Sequence, residues 1–231
     1  RSKSVLFAFI NGVVSIMFMG SQESEQYPLR ERKLSEIEIR PILLEELRAD
    51  HRGKTVKDWG VLSSVVFGEP PWNDTYEIPR LVFGIGVDLM RENAKAFEAR
   101  TSSGRHVGHT LGYEVFRISQ GDPRRVSLRE ISGAGEMDNL FNNGRLFYVD
   151  TLVVHPGFRR MGQIEKEIGV GEELTKALIE SVRLEEFAGV VLRTHLKAIA
   201  ARGLYAKLGF KELRVHDMEE ENRDFWFLSL K

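Results

Sequence analysis

One segment of the sequence, GFRRMGQIEKEIGVGEEL, combines residue types that bind anions. A strand pattern ends at a Pro-Gly turn, and Arg159, Arg160 and Gly162 follow it. After a short insertion, Val170 and Gly171 open an amphipathic helical pattern. A helix N-terminus offers unpaired N–H groups and the positive end of the helix dipole, and glycine lets the backbone approach phosphate oxygens. Because arginine adds charge-assisted hydrogen bonds, the segment predicts a phosphate-binding site.

The insertion, Gln163–Gly169, separates the two glycine-bearing fragments. An α-helix turns once in about 3.6 residues, so an insertion of this length could add nearly two whole turns and keep the helix in phase. Alternatively, it bulges outward and leaves Gly162 beside Val170 and Gly171. We favour the bulge, because only that arrangement brings the N–H donors of both fragments to one phosphate.

Asp150 lies inside the apolar strand pattern RLFYVDTLVVHP. An ionised carboxylate is costly there unless it has a partner or a function. Strict alternation places Leu152 and Val154 on the same face as Asp150, and Val149 and Val153 on the opposite face. Asp150 is therefore a candidate functional carboxylate. The alternative is a carboxylate that is exposed to solvent or paired with an arginine.

The elements around these residues predict a mixed sheet with helices on both faces. Two alternating runs that flank the turn-rich SSGR predict a hairpin, and residues 119–144 read as a long loop. In the second helix, the candidate buried positions are Val56, Trp59, Val65 and Val66. The predicted helices are Leu43–Arg48, Lys54–Phe67, Glu77–Glu92, Glu172–Phe187 and Ile199–Leu208.

The composition excludes several classes of site. The chain has 231 residues, of which 42% are hydrophobic and 29% are charged, so it can form a sizeable core. A formal net charge of −1 gives no bulk attraction to nucleic acid or to anionic membranes, and we expect no nucleic-acid partner. The absence of cysteine excludes a disulfide framework and a thiolate nucleophile. Because the six histidines show no ligand spacing such as HExxH, we predict no metal.

The N-terminal segment is apolar. Arg1 and Lys3 precede VLFAFINGVVSIMFMG, a layout close to that of a secretory signal, but the run is short for a spanning helix, which needs about 20 apolar residues. We expect this segment to pack on the domain or on a second copy, and we expect no membrane role. The predicted division is an apolar segment with a polar linker over residues 1–35 and a domain over residues 36–231.

Four motifs together resemble the GCN5-related N-acetyltransferase (GNAT) family. Without its insertion, the segment around Gly162 and Gly171 resembles the family's R/Q-x-x-G-x-G/A signature, which grips the pyrophosphate of acetyl-coenzyme A. The segment LYAKLGFKEL at 204–213 is similar to the family's C-terminal motif. GRHVGHTLGYEVF resembles its central hairpin, and IEIRPILLEELR resembles its opening strand and helix. These motifs occur in the family's order over roughly residues 36–231.

The resemblance implies a GNAT-like mixed and mostly antiparallel sheet, acetyl-coenzyme A as co-substrate, and direct acetyl transfer to an amine. It implies that a backbone N–H at Val153 or Val154 stabilises the oxyanion. It also implies that Tyr205 gives a proton to the leaving thiolate, whereas the ordinary alternative for Tyr205 is core packing. Asp150 is the candidate base, with Tyr148, His155, His195 or a water chain as alternatives. The family often has Asn seven residues before this tyrosine, where Ala198 stands here.

The sequence therefore predicts a cytoplasmic, acetyl-coenzyme A-dependent N-acetyltransferase that acts on a primary amine of a small molecule or peptide. The alternative is a non-catalytic module of the same fold that binds acyl-coenzyme A or another protein. Another acyl donor also remains open, as does a homodimer formed through the apolar N-terminus. Trp72, after two prolines, is either a wall of the acceptor pocket or a loop anchor.

Overall fold

The computed structural model of the protein describes most of the chain from residue 37 onward and two short N-terminal strands. The described residues are 6–10, 13–17, 37–50, 53–115, 131–132, 139–159, 169–217 and 222–231. Most of the predicted loop over 119–144 therefore lies outside the described residues.

Eight strands form the main sheet, and the described residues include five helices of six residues or more. The strands are β3 (Ile37–Pro41), β4 (Lys95–Thr101), β5 (His106–Val115), β6 (Ile131–Ser132), β7 (Leu146–Val154), β8 (Gly189–His195), β9 (Lys211–Asp217) and β10 (Arg223–Ser229). The helices are α1 (Leu44–Ala49), α2 (Lys54–Phe67), α3 (Ile78–Leu89), α4 (Val170–Arg183) and α5 (Ile199–Lys207).

The strand order in this sheet is β3-β4-β5-β7-β8-β10-β9-β6. Only β7 and β8 are parallel, and every other neighbouring pair is antiparallel. The helix α4 connects the two parallel strands, as a parallel pair requires a crossover rather than a tight turn. The prediction of a mixed, mostly antiparallel sheet is confirmed.

Helices cover both faces of the sheet. On one face, Trp59 of α2 and Ile85 of α3 pack with Leu111 of β5. On the other face, Leu178 of α4 and Tyr205 of α5 pack with side chains of the central strands. The Trp59 side chain is fully buried. Burial on this scale stabilises the fold, since truncating such a side chain to alanine typically costs about 3–5 kcal/mol.

The hairpin formed by β4 and β5 was predicted from sequence and is confirmed by the register of the two strands. Its turn is closed by the N–H of Thr101, which donates to the carbonyl oxygen of Arg105 at 2.9 Å. Gly104 occupies the turn with φ of 79°, a conformation that is costly for residues with a side chain. The turn chemistry of the sequence was therefore sufficient to locate this hairpin.

Helix boundaries agree with the predictions within a few residues, with two differences that matter. The predicted buried position Val65 is wrong, because its side chain is 49% exposed, whereas Trp59 and Val66 are buried. The helix α4 begins at Val170 and not at Glu172. The second difference places Val170 and Gly171 in the first helical turn, where N–H groups lack intrahelical partners.

The N-terminal apolar segment forms strands rather than a helix where the structure describes it. The strands β1 (Leu6–Ile10) and β2 (Val13–Met17) pair antiparallel, from Leu6 with Met17 to Ile10 with Val13. Among the described residues, no helix has both the length and the apolar composition needed to cross a membrane. The division at residues 35 and 36 remains a prediction.

Candidate functional site

The central parallel strands of the sheet separate halfway along their length. Pairing between β7 and β8 runs from Leu146 with Gly189 to Val149 with Leu192, and stops there. Both strands continue, to Val154 and to His195. Beyond Val149, the edge of β7 that faces β8 therefore has backbone groups without a strand partner. Such an opening at the centre of a sheet can accept a ligand's own hydrogen-bonding groups.

A β-bulge at Asp150 marks the point of separation. The register of β5 with β7 passes from Leu111–Thr151 to Gly112–Val149, so Asp150 is the extra residue. Gly112 permits the close approach of the strands here, because a Cβ atom would lie 2.4 Å from a ring carbon of Phe147. The bulge re-aims the side chain of Asp150 away from the regular pleat.

The bulge also reverses the alternation that the sequence predicted for this strand. Val149 and Leu152 pack in one core cluster with Leu178 of α4. Val153 packs with Leu62 and Val66 of α2, on the other face of the sheet. The prediction that Asp150 shares a strict alternating face with Leu152 and Val154 is wrong, because the extra residue shifts the period of two by one.

A cavity of about 830 Å³ opens where the two strands separate. It reaches from the N-terminus of α4, at Gly169–Gly171, past β7 to the α2–α3 side of the sheet. Among the residues predicted for the site, Asp150, Val154, Arg159, Val170, Gly171 and Tyr205 line it. Trp72 lines it as well, so this residue has the wall position that was one of its two predicted roles.

The N-terminus of α4 forms one end of the cavity. Gly169 is the N-cap residue and has no side chain with which to cap the first turn. Gly171 lines the cavity in the first turn of this helix. The nearby carboxylate of Glu172 is neutralised by Lys176 at 2.9 Å and Lys207 at 2.6 Å. This end of the cavity therefore suits an anionic group.

Burial and the neighbouring cations shift the pKa of Glu172 in opposite directions. Burial alone would raise the pKa of this carboxyl, but hydrogen bonds from Lys207 and Lys176 hold it below its usual value. The carboxylate is thus ionised at neutral pH and is matched by two cations rather than left to repel a phosphate.

The backbone of Val154 faces the open edge of β7. The N–H of His155 donates to the carbonyl oxygen of Val107 at 2.9 Å, on the β5 side. Because successive residues of a strand direct their backbone groups to opposite edges, the N–H of Val154 points to the β8 side. Its carbonyl oxygen accepts a hydrogen bond from Arg159 Nε at 3.0 Å, which agrees with that direction. The side chain of Val153 is fully buried and does not line the cavity.

Arg159 has protein partners in this structure. Besides Val154, its guanidinium contacts Glu69 Oε2 at 2.6 Å, from the loop after α2. An anion at this position would have to compete with Glu69. The other predicted residues of the split loop, Arg160 and Gly162, lie outside the described residues, and so does most of the insertion.

Tyr205 combines both roles that the sequence left open. Its side chain is 6% exposed and packs against Phe210 and Trp226 with ring centroids 5.7 and 6.4 Å apart. It also lines the cavity. Burial, with a smaller effect of Tyr148, raises the pKa of Tyr205 above its ordinary value, so the hydroxyl keeps its proton at neutral pH. Ala198, which stands where the family often has Asn, caps α5 without a side-chain hydrogen bond.

The carboxylate of Asp150 belongs to a network on the α3 side of the cavity. Tyr113 Oη donates to Asp150 Oδ1 at 3.4 Å, and Thr151 Oγ1 donates to Oδ2 at 3.0 Å. The guanidinium carbon of Arg91 lies 4.5 Å from the centre of the Tyr113 ring. Arg91 Nε donates in turn to Asp88 Oδ1 at 2.6 Å. Asp88 and Asp150 therefore share one guanidinium.

Asp88 is a site residue that the sequence reasoning missed. Burial and the charge of Asp150 raise its pKa to about 6. The residue lines the cavity with Leu81, Gly84 and Ile85. Their spacing of i, i+3, i+4 and i+7 places the carboxylate of Asp88 on an otherwise apolar helical face. This sequence pattern could have identified Asp88 as a candidate site residue.

Two buried hydroxyl groups also line the cavity. Ser63 Oγ lies 3.2 Å from His109 Nε2, and burial holds the pKa of His109 well below its usual value, so the imidazole is neutral. Thr194 is 1% exposed, and its Oγ1 has no hydrogen-bond partner among the described residues. Since buried polar atoms normally have partners, the Thr194 hydroxyl indicates a position where a ligand can bind.

The alternative bases considered from the sequence do not line this cavity. His155 contacts Arg105 and the N–H of Gly157 instead. His195 packs edge-to-face on Trp72 with ring centroids 5.7 Å apart. Tyr148 is fully buried. Of the candidate bases that were named, the structure brings only Asp150 to the cavity.

The fold of this chain is that of the GNAT acetyltransferases, as comparison with solved structures shows. A GNAT-family acetyltransferase from Staphylococcus aureus Mu50 is 14% identical with a TM-score of 0.54, and the match covers 84% of this chain and 99% of that chain. A chain of the NatC complex bound to Gag peptide and CoA is 15% identical with a TM-score of 0.52, covering 85% and 99%. A mosquito arylalkylamine N-acetyltransferase-like protein is 12% identical with a TM-score of 0.53, covering 84% and 99%.

Sequence comparison does not extend this result. No family model matches the sequence, and no curated protein matches it. At such low identity, likeness between structures carries the fold alone, and the chemistry has to be argued from the cavity.

Proposed function

We propose that the protein is an N-acetyltransferase that transfers the acetyl group of acetyl-coenzyme A directly to a primary amine. One observation carries the proposal. A single cavity passes through the opening between β7 and β8, with the uncapped N-terminus of α4 at one end and the carboxylate of Asp150 on the other side. On this fold, that arrangement places an anion-binding end and a proton acceptor on either side of one reaction centre.

The anion-binding end suits the pyrophosphate of coenzyme A. The N–H groups of Val170 and Gly171 are donors of the first turn of α4, where the helix dipole favours negative charge. Gly162 and Arg160 would complete this loop, and Arg159 would contribute once a phosphate displaces Glu69. The open edge of β7 suits the amide groups of the pantetheine arm.

The chemical step requires three groups of the protein. Asp150 accepts the proton of the ammonium, and the neutral amine nitrogen then attacks the thioester carbon. The N–H of Val154 stabilises the resulting oxyanion, and its direction favours it over Val153. When the carbon–sulfur bond breaks, the hydroxyl of Tyr205 gives a proton to the thiolate. The nitrogen then gives its second proton to the Tyr205 phenolate, so that the acetyl group ends as a neutral amide and coenzyme A leaves as a thiol.

The alternative is a module of the same fold that binds acyl-coenzyme A without catalysis. Ala198 favours this reading, because a side-chain contact to the cofactor that the family often has is missing. The positions of Tyr205 and Asp150 on the two sides of the cavity favour the enzyme. A change of acyl donor would keep the same three groups in the same roles.

The proposal is tested by mixing the full-length protein with acetyl-coenzyme A and a panel of amino acids, peptides, aminoglycosides and alkylamines. We expect an acetylated amine by mass spectrometry and an equal amount of free coenzyme A thiol. The Asp150→Asn variant should lower kcat/KM by about 100-fold, the lower range for a general base. Tight binding of coenzyme A by calorimetry, with no acetylated product from any amine, would favour the module.

A further inference from the structure

The acceptor end of the cavity, meaning the part between α3 and the bulge of β7, carries a net negative charge. Two carboxylates, Asp88 and Asp150, line it. Arg91 donates a hydrogen bond to Asp88, and its guanidinium lies over the ring of Tyr113. The hydroxyl of Tyr113 in turn donates to Asp150. Two negative charges and one positive charge leave a formal charge of −1. One ammonium group would neutralise it.

The walls beside this carboxylate pair are apolar. Leu81 and Ile85 of α3 face the cavity, and Phe67 and Trp72 complete the wall from the α2 side. Between them, Gly84 leaves a slot, because a Cβ atom built on it would meet nothing within 4 Å. A slot with such walls fits a hydrocarbon arm and offers little to a hydrated, polar one.

Cations surround the mouth on the same side. Arg80 lies one helical turn before Gly84, is exposed, and makes no ion pair within the part of the chain that the structure describes. Arg223 also lines the cavity, but Asp74, at 3.5 Å, lines it as well and offsets its charge, so the excess positive charge comes from Arg80 and from Lys197, which is exposed at the rim. A ligand that extends from the carboxylate pair toward solvent therefore passes positive charges.

We infer that the acceptor is a primary amine with a single positive charge carried on an apolar arm, and that polyamines and aminoglycosides are poor acceptors. The inference rests on the proposed function and specifies its substrate class. The ammonium group binds between Asp88 and Asp150, the arm lies along the slot at Gly84, and the mouth repels a second cation. The buried hydroxyl of Thr194, without a partner among the described residues, independently indicates that this cavity binds a ligand.

Three amines of equal length test the charge preference. Hexylamine carries one ammonium, 1,6-diaminohexane adds a second cation, and 6-aminohexanoate adds an anion. We expect kcat/KM for hexylamine and for 6-aminohexanoate to exceed that for the diamine by about tenfold or more, the ratio that one unscreened charge contact can produce. Raising the salt concentration should narrow this ratio. A diamine that is acetylated as well as hexylamine, or better, would overturn the inference.

A pair of glycine variants tests the slot. Gly84→Leu should fill it, because the new side chain points into open space on the cavity face of α3. Gly86→Leu is the matched control, since Gly86 lies on the same helix, also has nothing within 4 Å of a Cβ atom, and does not line the cavity. We expect Gly84→Leu to lower kcat/KM for hexylamine by roughly tenfold or more, with unchanged coenzyme A affinity, and Gly86→Leu to match the wild type. Equal activity of the two variants would contradict the proposed position of the arm.

Failure of the proposed function would look different. In that case the wild type would bind coenzyme A and acetylate none of the three amines. Calorimetry on the coenzyme A complex would still measure the affinity of hexylamine and of 1,6-diaminohexane. Tighter binding of the monoamine supports the inference without turnover, and equal or tighter binding of the diamine overturns it.

Discussion

Tyr205 and Asp150 lie on opposite sides of the opening between β7 and β8, and each owes its chemistry to its surroundings. Tyr205 is enclosed by Phe210 and Trp226, and this burial keeps its hydroxyl protonated. Asp150 sits at an irregular point of a strand, where the bulge directs it into the cavity. In the proposed acyl transfer, Tyr205 is the proton donor and Asp150 is the proton acceptor, on the two sides of one cavity.

Removing only the hydroxyl of Tyr205 should slow the reaction without weakening cofactor binding. We expect Tyr205→Phe to lower kcat by about 100-fold, because phenylalanine keeps the ring packing and cannot protonate the thiolate. Steady-state kinetics and calorimetry with coenzyme A measure the two effects separately. Phe210→Leu is the control, since it alters the packing around Tyr205 and keeps the hydroxyl. A Tyr205→Phe variant as fast as the wild type would remove the proton-donor assignment.

Asp88 should make stability depend on pH. Its pKa is raised from 3.8 to about 6 in the folded protein, so the folded state binds this proton more tightly than the unfolded state does. The stabilisation is complete below about pH 4 and is lost as the pH rises through 6. Between pH 4.5 and 7.5 the wild type should lose about 2 kcal/mol that Asp88→Asn does not lose.

Urea unfolding of both proteins at these two pH values measures that difference. Glu45→Gln, which removes an exposed carboxylate from α1, serves as the control. The same pH response in Asp88→Asn and the wild type would show that Asp88 is not the responsible group.

At the scale of elements, α4 and β7 supply the backbone groups that line the cavity. The helix starts at Val170, directly after Gly169, which has no capping side chain, and its first turn lines the cavity. The strand loses its parallel partner after Val149 and presents the backbone of Val154 at the same cavity. A helix N-terminus and an open strand edge thus meet at one cavity.

Deleting Gln163–Gly169 should leave the binding of coenzyme A unchanged. The deletion joins Gly162 to Val170, so that a glycine again occupies the N-cap position of α4. We expect the dissociation constant to change by less than about threefold, which is under about 1 kcal/mol. Calorimetry with coenzyme A gives the affinity, and circular dichroism confirms folding. A folded deletion variant that has lost binding would mean that the inserted residues build the site.

At the scale of the whole molecule, an eight-stranded sheet carries the cavity between helices from both of its faces. The α2–α3 side, with Asp88, forms the end that is proposed for the acceptor, and the α4–α5 side, with Gly171 and Tyr205, forms the end that is proposed for the cofactor. The apolar strands β1 and β2 precede this sheet and pair with each other. This pairing lies within one chain, so the proposed role of the segment in dimer formation is tested by experiment.

Removing residues 1–35 should separate assembly from activity. We expect the full-length chain to be a dimer and the 36–231 fragment a monomer with the same affinity for coenzyme A, because none of the residues that line the cavity precedes residue 37. Light scattering measures the mass, and calorimetry measures the affinity. If the fragment and the intact chain contain the same number of protomers, the apolar segment has no role in assembly.

Local chemistry made much of this molecule predictable from sequence. The hairpin between β4 and β5 follows from its turn residues, the helix α2 from its apolar spacing, and the start of a helix near Gly171 from the amphipathic pattern that begins there. Tyr205 was identified from a motif, and its place in the cavity agrees with it. Each of these features depends on residues that are neighbours in the chain.

Contacts between residues that are distant in sequence determined the features that the sequence did not predict. The bulge at Asp150 depends on the missing side chain of Gly112 and on Phe147, so regular alternation assigned the faces of β7 wrongly. The raised pKa of Asp88 requires Asp150, which is remote in sequence and close in space. The cavity exists only because β7 and β8 separate between helices of both faces. The spacing of residues along the chain indicates whether a segment is a helix or a strand. Burial and electrostatics depend on which elements pack together, and only the tertiary structure determines that packing.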